Sequence, residues 1–133
     1  GLHQLAGSKE VLELHGSIHR NYCERCHAFY DASYVKESDG SPRCSECGGL
    51  IKPDVVLYEE GLDNQILQKS VYHISHADTL IIGGTSLVVY PAAGLIDYFR
   101  GKNLVVINKS PTSRDQQADL CINGSIGEIF GAL

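Results

Sequence analysis

The sequence predicts an α/β fold: the second half of a doubly wound, Rossmann-like parallel sheet, interrupted by a small cysteine-rich module. Three observations predict it. Apolar runs near 78–82, 104–107 and 120–122 are continuous and separated by stretches of helical spacing, the order of a parallel sheet with helices on its faces. Cys23 and Cys26, then Cys44 and Cys47, form two CxxC pairs with 17 residues between them. At 133 residues, 43% of them hydrophobic, the chain has the material for one modest core.

Taken in order, residues 10–15 (Glu10, Val11, Leu12, Glu13, Leu14, His15) read as a short strand ending at Gly16. From Ser17 to Ile51 the composition turns polar, as expected of a module organised by a metal instead of a core. The four cysteines carry it. Thiolates about 2.3 Å from a tetrahedral zinc need tightly turned segments, which Arg25, Gly48 and Gly49 suit, and four sulfurs leave no open position for an activated water. The metal is therefore read as a structural Zn2+. Two disulfides or four free thiols are the alternative, and a thioredoxin-like redox pair would need a single CxxC at a helix start.

After Pro53, Val55 to Leu57 read as a strand and Glu59 to Gly61 as a turn. Asp63 is a plausible N-cap for a helix carrying Ile66, Leu67, Val71 and Ile74 on one face. The strand at 78–82 stops at Gly83 and Gly84, and a helix beginning at Pro91 and capped at Gly101 turns Leu95, Ile96 and Phe99 inward. A strand at 104–107, another at 120–122 and a helix start after Gly124 complete the series. Only about four such strands are legible, against about six in a complete doubly wound sheet, and no GxGxxG loop follows a first strand. The Gly83 to Ser86 loop does lie where open α/β sheets bind ligands, at the carboxyl end of a strand. Residues 1–16 and 52–133 are assigned to a partial Rossmann-like domain and 17–51 to the zinc-ribbon module.

A net charge of −5 gives no electrostatic reason to expect nucleic acid, and four thiolates with one zinc take that balance to about −7. The apolar runs fall far short of the roughly 20 residues of a membrane helix, and no leader or lipidation pattern is evident, so a soluble, cytoplasmic protein without a membrane partner is expected. The chain has no methionine and opens on Gly1, Leu2, His3, as if inside an element already under way; a fragment is expected.

The flanks of the cysteine module sharpen this. Leu14, His15, Gly16 and Ser17 precede it; Lys52, Pro53, Asp54, Val55, Val56, Leu57 and Tyr58 follow; Gly84, Thr85, Ser86 and Leu87 come before Pro91, then Val106, Ile107 and Asn108. In this order the motifs closely resemble the sirtuin family of NAD-dependent protein deacylases, bacterial type, over nearly the whole chain. The resemblance implies that an amino-terminal half of the same domain, with the Gly-rich phosphate loop and the flexible cofactor loop, precedes Gly1, and that the isolated chain is inactive.

The same resemblance implies roles. The family reaction begins with attack of an acyl-lysine carbonyl oxygen on the ribose carbon that releases nicotinamide. His15 is then the general base, withdrawing a ribose proton so that a hydroxyl attacks the acyl carbon, giving free lysine and O-acyl-ADP-ribose; an imidazole with an ordinary pKa near 6.5 suits the task. Gly84, Thr85 and Ser86 are implied to contact the adenosine part of the co-substrate NAD, Asn108, Lys109 and Ser110 its ribose, and Ile126 to close over adenine. The acyl-lysine protein or peptide would add as a strand between Val56 to Glu60 and Leu87 to Tyr90, through Val56, Tyr58, Glu59 and Val88. Glu59 stands where the commoner pattern has glycine; its carboxylate would either favour basic flanking residues or point to solvent.

The other histidines, His3, His19, His27, His73 and His76, are read as non-ligating, and Cys121 as a small buried hydrophobe in its strand. The rival from another class is a non-catalytic zinc-ribbon binding module. It asks for exposed basic or aromatic residues near the ribbon; Lys9, Arg20, Arg25, Lys36 and Arg43 supply some charge, but Glu24, Asp31, Glu37, Asp39 and Glu46 cancel it.

Overall fold

Antiparallel pairing organises the first half of the chain and parallel pairing the second. The structure, a computed structural model, describes residues 1–132 and divides into two units, Gly1–Ile66 and Leu67–Leu133. The first holds a short helix α1 (Leu2–Leu5), strands β1 (Gly16–Cys23) and β2 (Phe29–Tyr30), helix α2 (Ala32–Glu37) and strand β3 (Ile51–Val55). Its sheet runs β2-β1-β3, antiparallel throughout. Asp31 starts α2 by accepting the Tyr34 N–H at 2.8 Å. The buried core of this sheet is Cys23, Tyr30, Cys44 and Ile51, with Ala28, Val35 and Cys47 packed against it. Two of its four buried members are cysteines, as expected of a module too small to fold on apolar burial alone.

Helix α3 (Asn64–His76) begins where predicted: Asp63 Oδ1 accepts the N–H groups of Gln65 (2.7 Å) and Ile66 (3.0 Å). Strands β4 (Thr79–Gly83), β5 (Asn103–Asn108) and β6 (Leu120–Asn123) then form a parallel sheet in that order. Ile82, Leu104 and Val106 are its buried centre, covered by Leu80, Leu87, Ile96, Phe99 and Ala118. A 3₁₀ helix (Ala92–Tyr98) connects β4 to β5, and α4 (Ile126–Gly131) follows β6. This is the predicted α/β architecture. No helix among the described residues is long and apolar enough to cross a membrane.

Four expectations are corrected. Residues 10–13 have no regular structure and Leu14–His15 form a turn; the strand starts at Gly16. The second strand ends at Val55, and Val56–Leu57 lie outside it. The segment after Pro91 is a 3₁₀ helix that ends at Tyr98, so Gly101 is no cap; it lies against the turn after α3, where a Cβ would meet the carbonyl oxygens of Ala77 and Asp78. Cys121 is exposed, because β6 is the edge strand of its sheet, and its Sγ faces the Asp115 carbonyl at 3.3 Å.

The reason the chain turns at His15 is local. Gly16 adopts φ +76°, a left-handed backbone, and any Cβ there would run into the Asp54 carbonyl oxygen. Gly16→Ala is expected to cost about 1–3 kcal/mol of stability from the backbone conformation alone. The urea-unfolding midpoint of the zinc-loaded protein checks this; an unchanged midpoint would contradict it.

Candidate metal centre and nucleotide-binding edge

The two CxxC segments fold into near-identical turns. After Cys23, the His27 N–H donates to the Cys23 carbonyl at 2.9 Å and His27 takes φ +59°; after Cys44, the Gly48 N–H donates to the Cys44 carbonyl at 2.9 Å and Gly48 takes φ +71°. Each turn is closed from outside by its first cysteine, Cys23 N–H to Ala28 O (3.0 Å) and Cys44 N–H to Gly49 O (2.8 Å). Gly49 is required by proximity, since a Cβ would lie 2.8 Å from Cys23 Sγ and 3.4 Å from Cys47 Sγ.

The result is four sulfurs within 4.8 Å of one another, with 3.5 Å for Cys23–Cys47, Cys26–Cys44 and Cys26–Cys47. A disulfide needs about 2.05 Å. A tetrahedron of thiolates about 2.3 Å from a zinc puts its sulfurs about 3.8 Å apart, close to what is seen. The residues fit the ion. Neither His19 nor His27 joins the group.

The thiols divide electrostatically. Cys44 is pushed down to about 6, first by the Tyr30 hydroxyl and then by the N–H groups of Cys47 and Glu46 against the effect of burial. Cys23 is lowered too, first by the Cys26 N–H. Cys26 is pushed up to about 12: the Ala28 N–H favours its thiolate, but Cys47 and Cys44 beside it outweigh that. Sulfurs this close do not all ionise unless a cation sits among them, which is what a bound Zn2+ provides.

Sequence reasoning missed Tyr30. Its buried hydroxyl donates to Cys44 Sγ at 3.0 Å, lies 3.0 Å from Ser45 Oγ, and accepts the Ser45 N–H at 3.0 Å. The available signal was a tyrosine in a module with little apolar material, whose hydroxyl had to find a partner once the ring was buried.

The candidate residues fall into both units. In the first, His15 is exposed on its turn, and its carbonyl accepts the Val56 N–H at 3.1 Å. Beyond Val56 the chain makes a closed loop: Glu60 Oε2 accepts the Leu57 N–H (2.9 Å), the Glu60 N–H donates to the Leu57 carbonyl (3.1 Å), and Glu60 Oε1 pairs with Lys52 Nζ (2.7 Å). Tyr58 is 100% exposed at its tip, and Glu59 takes φ +72°, the left-handed conformation that favours glycine.

In the second unit, the carboxyl edge of the parallel sheet gathers its candidates. Gly83 pairs with Ile107 and Asn108 with Asn123, so the loops after β4, β5 and β6 emerge side by side. Gly84 takes φ +64° and donates its N–H to the Ile107 carbonyl at 3.1 Å. Thr85 Oγ1 accepts the Leu87 N–H at 3.2 Å and shapes the loop through Ser86. Ile126, the first residue of α4, packs against the end of β4: a Cβ on Gly83 would strike its Cδ1, so only glycine lets that side chain down onto the strand end. Asn108 closes its own turn, its amide donating to the Ser110 carbonyl at 2.8 Å, with Lys109 exposed between them. Val88 is exposed, as are Val89 and Tyr90 after it.

Comparison with known proteins places this arrangement. Residues 1–91 match the model of the Sir2 family. An NAD-dependent protein deacetylase of Clostridium perfringens is 66% identical over 132 residues, covering 98% of this chain and 54% of that protein. One from Clostridium acetobutylicum is 65% identical over 131 residues, with the same two coverages. Among solved structures, one described as Sir2-p53 peptide-NAD+ superposes with a TM-score of 0.88 at 39% identity, over 98% of this chain and 57% of that one. Another, Sir2 bound to acetylated peptide, gives 0.87 at 38%, over 98% and 57%. The chain thus spans about half the length of the curated relatives it matches.

Removing the Tyr30 hydroxyl should loosen the metal. Tyr30→Phe is expected to release zinc to a chelator about 10–100 times faster than wild type, the usual cost of losing a hydrogen bond to a metal ligand. A chromogenic zinc chelator reads this directly; identical release rates would contradict it.

Proposed function

This chain belongs to the Sir2 family, and from that premise we propose that it carries the zinc module and the second half of the nucleotide-binding sheet of an NAD-dependent protein-lysine deacylase. The observation that carries the reading is the carboxyl edge of the parallel sheet, where Gly84 to Ser86, Asn108 to Ser110 and Ile126 stand side by side at the place open α/β sheets bind nucleotides. Relatives that act as NAD-dependent protein deacetylases and neighbours solved with NAD+ and peptide support it. The activity is assigned to the whole protein; the 133-residue chain by itself is proposed to be inactive.

NAD, when bound, supplies the electrophilic ribose carbon and the leaving nicotinamide. The chain's own residues do the rest. Gly84 brings backbone close to the adenosine, since its left-handed conformation leaves no side chain in the way, and the Thr85 and Ser86 hydroxyls pair with polar groups of the sugar. Asn108, Lys109 and Ser110 border the adenosine ribose, and Ile126 covers the base with its apolar face. His15, exposed on a turn fixed by Gly16 and by its bond to Val56, accepts the ribose hydroxyl proton, which frees that oxygen to attack the acyl carbon. The peptide adds along Val56 to Glu59 through main-chain bonds, with Val88 on the other candidate segment. Zinc does no chemistry here, because its four sulfur ligands complete the coordination shell.

His15→Ala in the full-length protein is expected to lower NAD-dependent deacetylation of an acetyl-lysine peptide, and with it the formation of O-acetyl-ADP-ribose, by about 10²–10⁴, with zinc content unchanged. Mass spectrometry of the peptide and of O-acetyl-ADP-ribose reads it. Undiminished turnover would refute the role.

A further inference from the structure

Strand β1 does not pair evenly with β3. Ser17 stands opposite Asp54 and Asn21 opposite Pro53, so Ile18, His19 and Arg20 bulge from the strand with no partners across from them. The bulge is built from within. Asn21, only 1% exposed, donates its side-chain amide to the carbonyls of Ile18 (3.0 Å) and Tyr30 (3.3 Å), and the His19 N–H donates to Ser17 Oγ (3.2 Å). Bulges of this kind re-aim side chains, and this one re-aims Arg20.

The guanidinium reaches two carboxylates through two different nitrogens: Nε to Asp54 Oδ2 and Nη1 to Glu13 Oε2, both at 2.7 Å. Glu13 is engaged twice, its other oxygen accepting from Gln4 Nε2 at 3.1 Å. Glu13 lies two residues before His15, and Asp54 two residues before Val56, whose N–H holds the His15 carbonyl. We propose that Arg20 is a positioning residue for the His15 turn, clasping the segment that enters the turn to the strand that leads into Val56. The proposal rests on the deacylase reading for its catalytic consequence, though not for the clasp itself.

An isolated exposed ion pair would be worth little. The arrangement here differs. Residues 10–13 belong to no sheet ladder, and the Arg20 bridge acts together with the Gly16 N–H to Glu13 carbonyl bond (3.0 Å), the Gln4 contact and the Val56 bond in fixing the approach to His15. Side-chain exposure is 36% for Arg20 and 18% for Glu13, so that arm is partly shielded from solvent. A lysine would serve less well, because its ammonium gathers its donors at one point on a flexible stem and lacks the rigid planar fork that reaches the two carboxylates from Nε and Nη1. Consistent with the geometry, the Glu13 carboxyl is held below its ordinary range, chiefly by the Arg20 guanidinium.

Hydrogen exchange and steady-state kinetics on the full-length protein, wild type against Arg20→Met, test this. The Val56 amide should exchange about tenfold faster while amides of β4–β6 and zinc content stay unchanged, the signature of a local opening. Deacetylation kcat should fall about tenfold with peptide KM within about twofold, as expected for a misplaced base. Arg20→Lys should recover less than roughly half of that loss. Glu13→Gln removes one arm with little change of shape and should show the same exchange effect in smaller measure, which keeps the test decisive if Arg20→Met does not fold. Unchanged Val56 exchange overturns the clasp, and faster exchange with undiminished kcat overturns the positioning role. A wild-type protein that neither deacetylates the peptide nor forms O-acetyl-ADP-ribose would sink the deacylase reading alone, with the exchange result still deciding the clasp.

Discussion

Four sulfurs gathered within 4.8 Å of one another are the constraint on which the first unit depends. The apolar residues around them are few, and the buried centre is two cysteines, one tyrosine and one isoleucine. Burial on that scale does not offset the entropy of ordering some sixty residues, about 1–2 kcal/mol each for the backbone alone. A cation among the thiolates does what a larger core would do elsewhere: it joins the start of β2's hairpin to the segment before β3 and so fixes the three-stranded sheet. That sheet in turn holds the turn at His15, because β1 begins at Gly16 and β3 ends one residue before Val56.

From this follows a division of labour. The metal site is coordinatively closed, while the candidate residues of the proposed chemistry sit on turns and loops that the strands present. His15 is shaped by a glycine that no other residue can replace without moving the Asp54 carbonyl. In the second unit the same economy recurs: Gly83 admits Ile126 and Gly84 bends the chain away from the strand end. The glycines make the openings that a nucleotide would fill, and the apolar strands beneath hold them still.

The legible parts of this structure were the local ones. Two CxxC pairs announce a metal site because each turn is made of consecutive residues, and the runs at 104–107 and 120–122 announce buried strands by composition alone. Asp63 was readable as a cap because its bonds go two and three residues ahead. What was not legible depends on distant partners. The run at 10–15 looked like a strand, yet Glu13 is drawn to Arg20 and Gln4 and the chain turns before any ladder forms. Cys121 sits in an apolar strand, but β6 is the edge strand of its sheet among the described residues. The Tyr30 hydroxyl and the Arg20 bridge join residues 14 and 34 positions apart, and no local pattern encodes them.

The dependence of the first unit on its metal is open to one direct measurement: hydrogen exchange resolved along the chain before and after stripping the ion with a strong chelator. The account predicts that β1–β3 and the His15 turn lose protection on stripping while β4–β6 keep theirs, and that adding back one equivalent of zinc restores it. Persistent protection across β1–β3 in the metal-free protein would contradict it.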